Sequence, residues 1–337
     1  MRKGVGIVGG SGYVGGELLR ILLHHNNCEV RNVSSRRLRG KPLSKAHPHL
    51  KGEYEHLEFT ESSPDSFLNC DFVFIVSPQE EKSFSYVKRF HEAGIRAVDT
   101  TACYRTTPEH YERYYGKQHE DKERRLVYGL PEFNRDEIKS SKLVSNPGCI
   151  AASCILSAKP LDDKDLIEGG VFDAKVSVSC AGAEPYERTH FPYAAENVYQ
   201  YESEKMPHRQ TPEIKNNLRT NFTFVPHLVP IVRGILVTSY LKLKEGVDPQ
   251  VVERELRSRY LKESFVRFVD VPSTTRVKNS NFFDIGNFYY EMDSNTLVFS
   301  SAVDNLVKGS AGVAVQNMNL MLDLDEREAL ADLPTFP

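Results

Sequence analysis

The sequence predicts an α/β protein of two domains, in which a doubly wound parallel sheet flanked by helices is followed by an α+β domain. In the first ~145 residues, short apolar runs alternate with helical periodicity, which is typical of a parallel sheet covered on both faces. In the second half, strand-like segments follow one another with few long helices between them, which favours a mixed or antiparallel sheet. The length of 337 residues also exceeds the usual size of one hydrophobic core.

The first domain begins with a strand, a glycine-rich turn and a helix. Lys3–Val8 is a short apolar run, residues 9–16 supply the glycines, and residues 17–24 carry helical periodicity. A strand over 29–34 completes a βαβ unit. Further elements of this domain are predicted as strands over 72–76 and 97–99 and a helix over 80–93 that Gly94 ends.

The second domain is predicted mainly from its strands. These are expected over 175–179, 234–242, 265–269, 283–291 and 296–301. Helical periodicity predicts helices over 251–261 and 310–322, and we expect the latter to return to the first domain. The expected domains therefore comprise residues 1–148 with 305–337, and residues 149–304.

Composition excludes several classes of protein. A formal net charge of −3 argues against a general nucleic-acid binder. No apolar run approaches the roughly 20 residues that span a bilayer, so we expect a cytoplasmic protein without a membrane anchor. The six cysteines lack the paired short spacing of a zinc or redox site, so we expect no metal and, apart from Cys149, buried reduced thiols.

A glycine-rich turn follows the first strand and opens the first helix. Its G-x-G-x-x-G pattern starts at Gly10, within residues 9–15. Glycines let the backbone approach a pyrophosphate, whose charge meets the free N–H groups and the positive end of the helix dipole. In this context the turn predicts a dinucleotide site, although the pattern alone also fits a plain tight turn.

The end of the second strand indicates which dinucleotide is bound. An NAD enzyme usually has Asp or Glu there to hold the ribose hydroxyls, whereas this chain has Ser34, Ser35, Arg36 and Arg37. Hydroxyl and guanidinium donors suit a ribose 2′-phosphate, so NADP(H) is favoured over NAD(H). The alternative is a solvated basic turn.

Cys149 is the candidate nucleophile. It follows Asn146, Pro147 and Gly148 and precedes an apolar, alanine-rich run, so it should be the first residue of a helix. The helix dipole and unpaired backbone N–H groups would stabilise a thiolate there, and the same donors can contribute to an oxyanion hole. From residue types alone, a merely buried cysteine is an equally good interpretation.

A second polar cluster lies at residues 207–213. His208 and Arg209 stand just ahead of a helix start at Pro212, and an imidazole there can protonate an oxyanion or a leaving group. A lone surface histidine is the alternative. Residues 226–234 and 304–309 also combine polar groups with turn residues beside predicted elements, where ligand contacts often occur.

Together, the glycine-rich turn and residues 146–149, 208–213, 226–234 and 304–309 resemble the N-acetyl-γ-glutamyl-phosphate reductase family over nearly the whole chain. The resemblance implies a Rossmann-type NADP-binding domain and a substrate and dimerisation domain, as in semialdehyde dehydrogenases, assembled as a homodimer or homotetramer. Residues 181–190 look most like the archaeal lysine/arginine-biosynthesis branch, in which a small acidic carrier protein bears the acyl group.

The resemblance also implies roles for individual residues. Cys149 would be the nucleophile, with His208 as its catalytic partner. The cofactor would contact Gly9, Ser11, Gly12, Tyr13, Val14, Gly15, Ser34, Ser35, Arg36 and, on the nicotinamide side, Asn305. The substrate would contact Arg105, Asn146, Arg209 and Glu213.

Three positions depart from the family pattern. Gln210 replaces the second histidine of a His-Arg-His sequence, which leaves the identity of the general acid open. Cys103 replaces the aspartate of a Ser-Ala-Asp-Phe-Arg segment, and Gln79 stands where relatives often have histidine.

The reaction that the resemblance implies is an acyl-phosphate reduction. Cys149 would attack the carbonyl and expel phosphate, and NADPH would reduce the thioester to a semialdehyde. We expect carrier-linked aminoadipyl or glutamyl phosphate as the substrate, in lysine or arginine biosynthesis. The alternatives are free N-acetyl-γ-glutamyl phosphate, an aspartate-β-semialdehyde dehydrogenase activity, and a non-catalytic NADP-binding sensor.

Overall fold

The computed structural model describes residues 2–77, 82–201 and 207–336. Two compact units divide the chain. The first comprises Met1–Pro147 with Ser310–Asp332, and the second comprises Gly148–Gly309 with Leu333–Pro337.

The first unit is built on a parallel sheet of seven strands in the order β3-β2-β1-β4-β5-β7-β6, counted over the described residues. Its strands are β1 (Lys3–Val8), β2 (Cys28–Ser34), β3 (Phe59–Thr60), β4 (Phe72–Ile75), β5 (Arg96–Asp99), β6 (Val127–Tyr128) and β7 (Leu143–Ser145). The chain leaves β1 for β2 on one side and places β4 on the other, so the strand order reverses at β1. This reversal is where doubly wound folds bind ligands, and it confirms the predicted fold class.

The helices of the first unit cover this sheet. They are α1 (Tyr13–Leu22), α2 (Ser83–Ala93), α3 (Pro108–Tyr115), α4 (Pro131–Ser140) and, from the end of the chain, α9 (Gly312–Met321), which packs on α1, α4 and β5. The predicted start of α1 at residue 17 is wrong. The helix begins four residues earlier, at Tyr13. Gly15 and Gly16 are weak helix formers, so they conceal this first turn in the sequence. Their small size is needed because a Cβ at either position would lie too close to Gly10 or His47.

The second unit contains a mixed sheet of seven strands, again over the described residues, in the order β12-β13-β14-β11-β8-β10-β9. These are β8 (Ile167–Ser177), β9 (Tyr199–Gln200), β10 (Asn221–Val229), β11 (Ile235–Leu243), β12 (Val266–Val269), β13 (Phe283–Glu291) and β14 (Thr296–Val303). The pairs β8/β10 and β12/β13 are parallel, and the other pairs are antiparallel. Strand β10 was not predicted because Pro226, which lies within it, usually argues against a strand.

One face of the second sheet is covered by α5 (Cys149–Asp163), which packs against β8, β11 and β14. The other helices of this unit are α6 (Phe191–Ala194), α7 (Thr211–Asn217) and α8 (Pro249–Tyr260). Helix α5 is buried along most of its length and lies between the sheet and helices α7 and α8. Within the described part of the chain, no helix is long and apolar enough to cross a membrane.

Candidate active site

Hydrogen bonds to Ser34, the last residue of β2, hold the turn from β1 to α1. The Gly10 N–H donates to the Ser34 carbonyl oxygen at 2.9 Å, and the Gly9 N–H donates to the Ser34 hydroxyl at 3.2 Å. Ser34 is completely buried, so its side chain shapes the turn rather than facing a ligand. This corrects the expectation that Ser34 binds the 2′-phosphate directly.

His47, which the sequence analysis did not select, braces the same turn. Its Nε2 lies 2.7 Å from the Gly10 carbonyl oxygen, and a Cβ added at Gly16 would lie 2.8 Å from its Nδ1. Burial lowers the pKa of His47, so the ring is neutral near pH 7 and donates its Nε2–H to that carbonyl. His47 directly precedes the 3-10 helix Pro48–Leu50, about 30 residues beyond the glycines, and nothing in the sequence links it to this turn.

The exposed side of the turn is open to a ligand. A Cβ added at Gly12 would meet no atom within 4 Å, and the neighbouring Tyr13 is exposed. Ser11 accepts from the Ser35 hydroxyl at 3.0 Å, and Arg36 beyond it is exposed. Because α1 has no acidic residue in its first turn, its positive end can accept an anion.

Cys149 is the first residue of α5 and is partly exposed, whereas the residues that follow it are buried. The cap residue, Gly148, has no side chain to satisfy the first N–H groups. Two side chains from α7 and the turn before it do so instead. Gln210 Oε1 accepts from the Ile150 N–H at 3.2 Å and the Ala151 N–H at 3.0 Å, and Glu213 Oε1 accepts from the Gly148 N–H at 2.7 Å.

These contacts correct two expectations. Glu213 is only 1 % exposed and binds backbone, so its predicted contact with the substrate is not supported. The N–H groups of Ile150 and Ala151 are engaged by Gln210, so they are not available for the oxyanion hole expected at this helix end. The sequence drew attention to Gln210 only as a replacement for histidine.

A second cysteine lies beside the first. Cys180, in the 3-10 helix Val178–Ala181, is in side-chain hydrogen-bond contact with Cys149. The Cys149 sulfur and burial together raise the pKa of Cys180 well above that of an ordinary thiol, so Cys180 stays protonated and can donate to Cys149. On another side of the nucleophile, a Cβ at Gly309 would lie 2.8 Å from the Cys149 Cβ. Neither neighbour had been assigned a role from sequence.

His208 lies in an aromatic environment and is only 3 % exposed. Its ring centroid lies 5.5 Å from that of Tyr201 and 5.4 Å from that of Phe224, and its Nδ1 accepts from the Gln210 N–H at 3.1 Å. Burial, with a smaller effect of the adjacent Arg209, lowers the pKa of His208 to about 3. The ring is therefore neutral at pH 7, and its role as the catalytic partner of Cys149 stays a prediction. Arg209 itself is exposed.

Asn305 organises the ends of β8 and β11. Its Oδ1 accepts from the Gly234 N–H at 2.7 Å and from the Ser177 hydroxyl at 3.2 Å, and its Nδ2 donates to the Ser179 hydroxyl at 2.9 Å. The preceding Asp304 accepts from Arg233 Nε at 2.7 Å. The side chain of Asn305 is thus held in one orientation, and its contact with the nicotinamide stays a prediction.

Two of the predicted substrate residues are engaged by the backbone of the first unit. Asn146 is completely buried, donates to the Ser310 carbonyl oxygen at 3.1 Å and accepts from Asn317 at 3.2 Å, so the structure does not support its binding substrate. Arg105 is half-buried and donates to the carbonyl oxygens of Asn146 at 2.8 Å and Thr100 at 2.6 Å. These bonds fix the direction of the Arg105 guanidinium.

The other two departures from the family pattern are Cys103 and Gln79. Cys103 is completely buried, with its sulfur 3.8 Å from the Tyr111 hydroxyl. Gln79 lies outside the described residues. Over the described residues, no group of three or more His, Cys, Asp or Glu side chains could hold a metal ion.

Two sequence profiles of one family match most of the chain. The semialdehyde dehydrogenase NAD binding domain matches residues 4–141, and the semialdehyde dehydrogenase dimerisation domain matches residues 149–305. The chain is 43% identical to the N-acetyl-gamma-glutamyl-phosphate reductase of Methanococcus maripaludis strain C5, over 98% of each chain. It is 41% identical to the enzyme of the same name from Methanocaldococcus jannaschii, over 99% of this chain and 100% of that one.

Solved structures share the fold at lower identity. Aspartate semialdehyde dehydrogenase II from Vibrio cholerae, in complex with ASA, superposes with a TM-score of 0.73 at 17% identity, covering 96% of this chain and 99% of that one. Aspartate semialdehyde dehydrogenase from Candida albicans, solved with NADP, gives 0.69 at 18% identity with the same coverage. At this identity the likeness supports the fold alone.

Substituting Gly15 by Ala should damage the dinucleotide turn. The added methyl would overlap the backbone of Gly10, so we expect a loss of about 1–3 kcal/mol in the free energy of unfolding together with weaker NADPH binding. Gly12→Ala is the matched control, because its methyl points into open space and should change stability by less than about 0.5 kcal/mol. Urea unfolding and fluorescence titration with NADPH measure the two effects. Equal stability of the two variants would contradict this account of Gly15.

Stability should depend on pH through His208. Its folded pKa of about 3 lies below the ordinary value of 6.5, so the stability it contributes is present above pH 6.5 and is lost as the pH falls towards 3. The full difference is on the order of 4–5 kcal/mol. His208→Asn cannot titrate but keeps an acceptor for the Gln210 N–H, so its urea-unfolding free energy should fall less between pH 6.5 and 4 than that of the wild type. Parallel pH curves would refute this role.

Proposed function

Because the chain belongs to the N-acetyl-gamma-glutamyl-phosphate reductase family of semialdehyde dehydrogenases, we propose that it reduces N-acetyl-γ-glutamyl phosphate to the corresponding semialdehyde with NADPH. The observation that carries the proposal is Cys149, a partly exposed thiol at the first position of a buried helix. A thiol placed there can attack an acyl group while the remainder of the helix stays fixed in the core.

Cys149 acts as the nucleophile. Its sulfur attacks the acyl-phosphate carbonyl, the carbon–oxygen bond to phosphate breaks, and an acyl thioester remains on the enzyme. The Cys180 thiol, which remains protonated, donates to the Cys149 sulfur before attack and again when the aldehyde leaves. Gly309 leaves room for the nucleophile, because a larger residue at that position would contact the Cys149 Cβ.

The residues of the first unit fit a dinucleotide. The open space at Gly12 and the positive end of α1 suit a pyrophosphate, and the exposed Arg36 suits the 2′-phosphate of NADP(H). When bound, the reduced cofactor supplies the hydride that takes the thioester to the aldehyde level. Ser34 and His47 hold the turn in its open shape, and the partly exposed Ser11 hydroxyl accepts from the buried Ser35.

Two further features belong to the proposal. The profile matched by residues 149–305 is a dimerisation domain, which supports a homodimer or a larger homo-oligomer built on the second unit. The name that the relatives carry is in line with a biosynthetic role.

The relatives favour the free substrate over the carrier-linked aminoadipyl or glutamyl phosphate expected first from the sequence. The basis for a carrier was residues 181–190 and nearby basic side chains. In the structure Arg188 and Arg209 are exposed, whereas Lys205 lies outside the described residues. An acidic carrier therefore remains the second candidate, to be separated from the first by experiment.

Cys149→Ser should lower kcat by about 10⁴-fold or more, because a serine hydroxyl is a far weaker nucleophile at neutral pH. NADPH binding should be unchanged, since the predicted cofactor contacts in the first unit are intact. Phosphate-dependent reduction of NADP by the semialdehyde measures the reverse reaction. Substantial turnover by the variant would refute the proposal, and a wild type with no turnover but intact NADPH binding would favour a sensor.

A substrate comparison should show turnover of free N-acetyl-γ-glutamyl phosphate. We expect its kcat/KM to exceed those of carrier-bound glutamyl phosphate and carrier-bound aminoadipyl phosphate by at least tenfold, about 1.4 kcal/mol in transition-state binding. If the carrier-bound forms are preferred, the same assay at rising salt should show their advantage falling, because an acidic carrier would be held by charge. Aspartyl phosphate serves as the control for the related dehydrogenase activity.

A further inference from the structure

The start of α5 is capped by side chains that are distant in sequence. Gln210 Oε1 accepts from the N–H groups of the second and third residues of the helix, Ile150 and Ala151. Glu213 Oε1 accepts from Gly148, the residue before Cys149. A Cβ added at Gly148 would lie 2.6 Å from Gln210 Cδ and 2.8 Å from Glu213 Oε2, so both groups pack directly against the turn that presents the nucleophile.

The two caps differ in charge. Both partners of Gln210 are N–H donors, so the amide must turn its oxygen towards the helix, and it does so as a neutral group. Glu213 carries a carboxyl group, and at Cys154, one turn into α5, burial first and Glu213 second raise the pKa of the thiol. A negative charge at a helix start interacts favourably with the dipole but disfavours a second negative charge beside it.

We propose that Gln210 and Glu213 are positioning residues that set how readily Cys149 ionises, with Gln210 capping the helix without adding a second negative charge beside the thiolate. The proposal rests on the proposed function, in which the Cys149 thiolate is the nucleophile. Glutamine at position 210 therefore has a function of its own and is more than the loss of a histidine. It satisfies two buried N–H groups, fixes the first turn of α5, and keeps the number of carboxylates at this helix end to one.

Other titratable or charged groups of the second unit surround the same helix end. Cys180 contacts Cys149 directly, and the neutral His208 and exposed Arg209 precede Gln210. Asp304 and Lys308 flank Gly309 and are buried, with Asp304 bound to Arg233. None of these groups is altered in the test below, so a change between variants reports on positions 210 and 213.

The test measures alkylation of Cys149 by iodoacetamide from pH 5 to 10. Peptide mass spectrometry reads Cys149 separately from Cys180. Gln210→Glu retains the acceptor and adds a charge, so the midpoint of the pH profile should rise by about one unit and the rate at pH 7 should fall about tenfold. Glu213→Gln retains an acceptor and removes the charge, so the midpoint should fall and the rate at pH 7 should increase several-fold.

Two further variants serve as controls. The double variant Gln210→Glu/Glu213→Gln moves the carboxylate from one cap to the other at constant net charge, and its midpoint should lie between those of the single variants. Gln250→Glu places the same new charge in the first turn of α8, at an exposed position, and should match the wild type. Far-UV circular dichroism and NADPH titration verify folding. If one single variant does not fold, the other single variant and the double variant decide by the direction of their shifts.

The outcomes separate this proposal from the proposed function. Coincident profiles for wild type, Gln210→Glu and Glu213→Gln would overturn the positioning role, even if Cys149→Ser is inactive. Shifted profiles together with an active Cys149→Ser variant would uphold the electrostatic effect and refute the thioester chemistry. If the positioning role and the thioester chemistry are both correct, the pH profile of kcat/KM should move in the same direction as the alkylation midpoint.

Discussion

The organisation of the second unit depends on which groups accept hydrogen bonds from the first N–H groups of α5. The first N–H groups of any helix lack partners within the helix, and here they lie beside a core where bulk water cannot supply them. Gly148 has no side chain, so acceptors must come from elsewhere in the fold. Gln210 and Glu213 provide them across about 60 residues of chain. The position of Cys149 is therefore fixed by a long-range contact as much as by its own helix.

In the first unit, the backbone of the dinucleotide turn is likewise bound by side chains that are distant in sequence. Its glycines allow a tight path, but the path is selected by buried polar groups that lie outside the motif. Ser34 binds the N–H groups on one side, and His47 binds the Gly10 carbonyl oxygen on the other. Because both side chains are buried and engaged, the turn is formed before any ligand arrives, which reduces the ordering cost of binding.

Strong local patterns made much of this structure predictable. The strand, turn and helix at the amino end follow from apolar periodicity and glycines, and the helix that begins at Cys149 follows from the apolar run after Gly148. Contacts between distant parts of the chain gave no such signal. Sequence placed Asn146 and Glu213 near the site but could not reveal that Asn146 Nδ2 donates to the Ser310 carbonyl oxygen or that Glu213 Oε1 accepts from the Gly148 N–H. Similarly, Pro226 concealed strand β10, which is stabilised by pairing with β8 and β9.

The neutral state of His208 bears on whether the reaction needs a general acid. In the proposed reaction, a dianionic acyl phosphate needs one proton to expel phosphate as HPO₄²⁻, and the proton that Cys149 loses on ionising balances this step. Reduction of the proposed Cys149 thioester would give an alkoxide, which can re-form the carbonyl group and expel the thiolate without net proton transfer. A neutral His208 would therefore not stabilise the alkoxide as a cation, and the proton that phosphate needs can come from the Cys149 thiol instead. The Cys149 leaving group then becomes decisive, because a thiolate that is easily formed is also easily expelled.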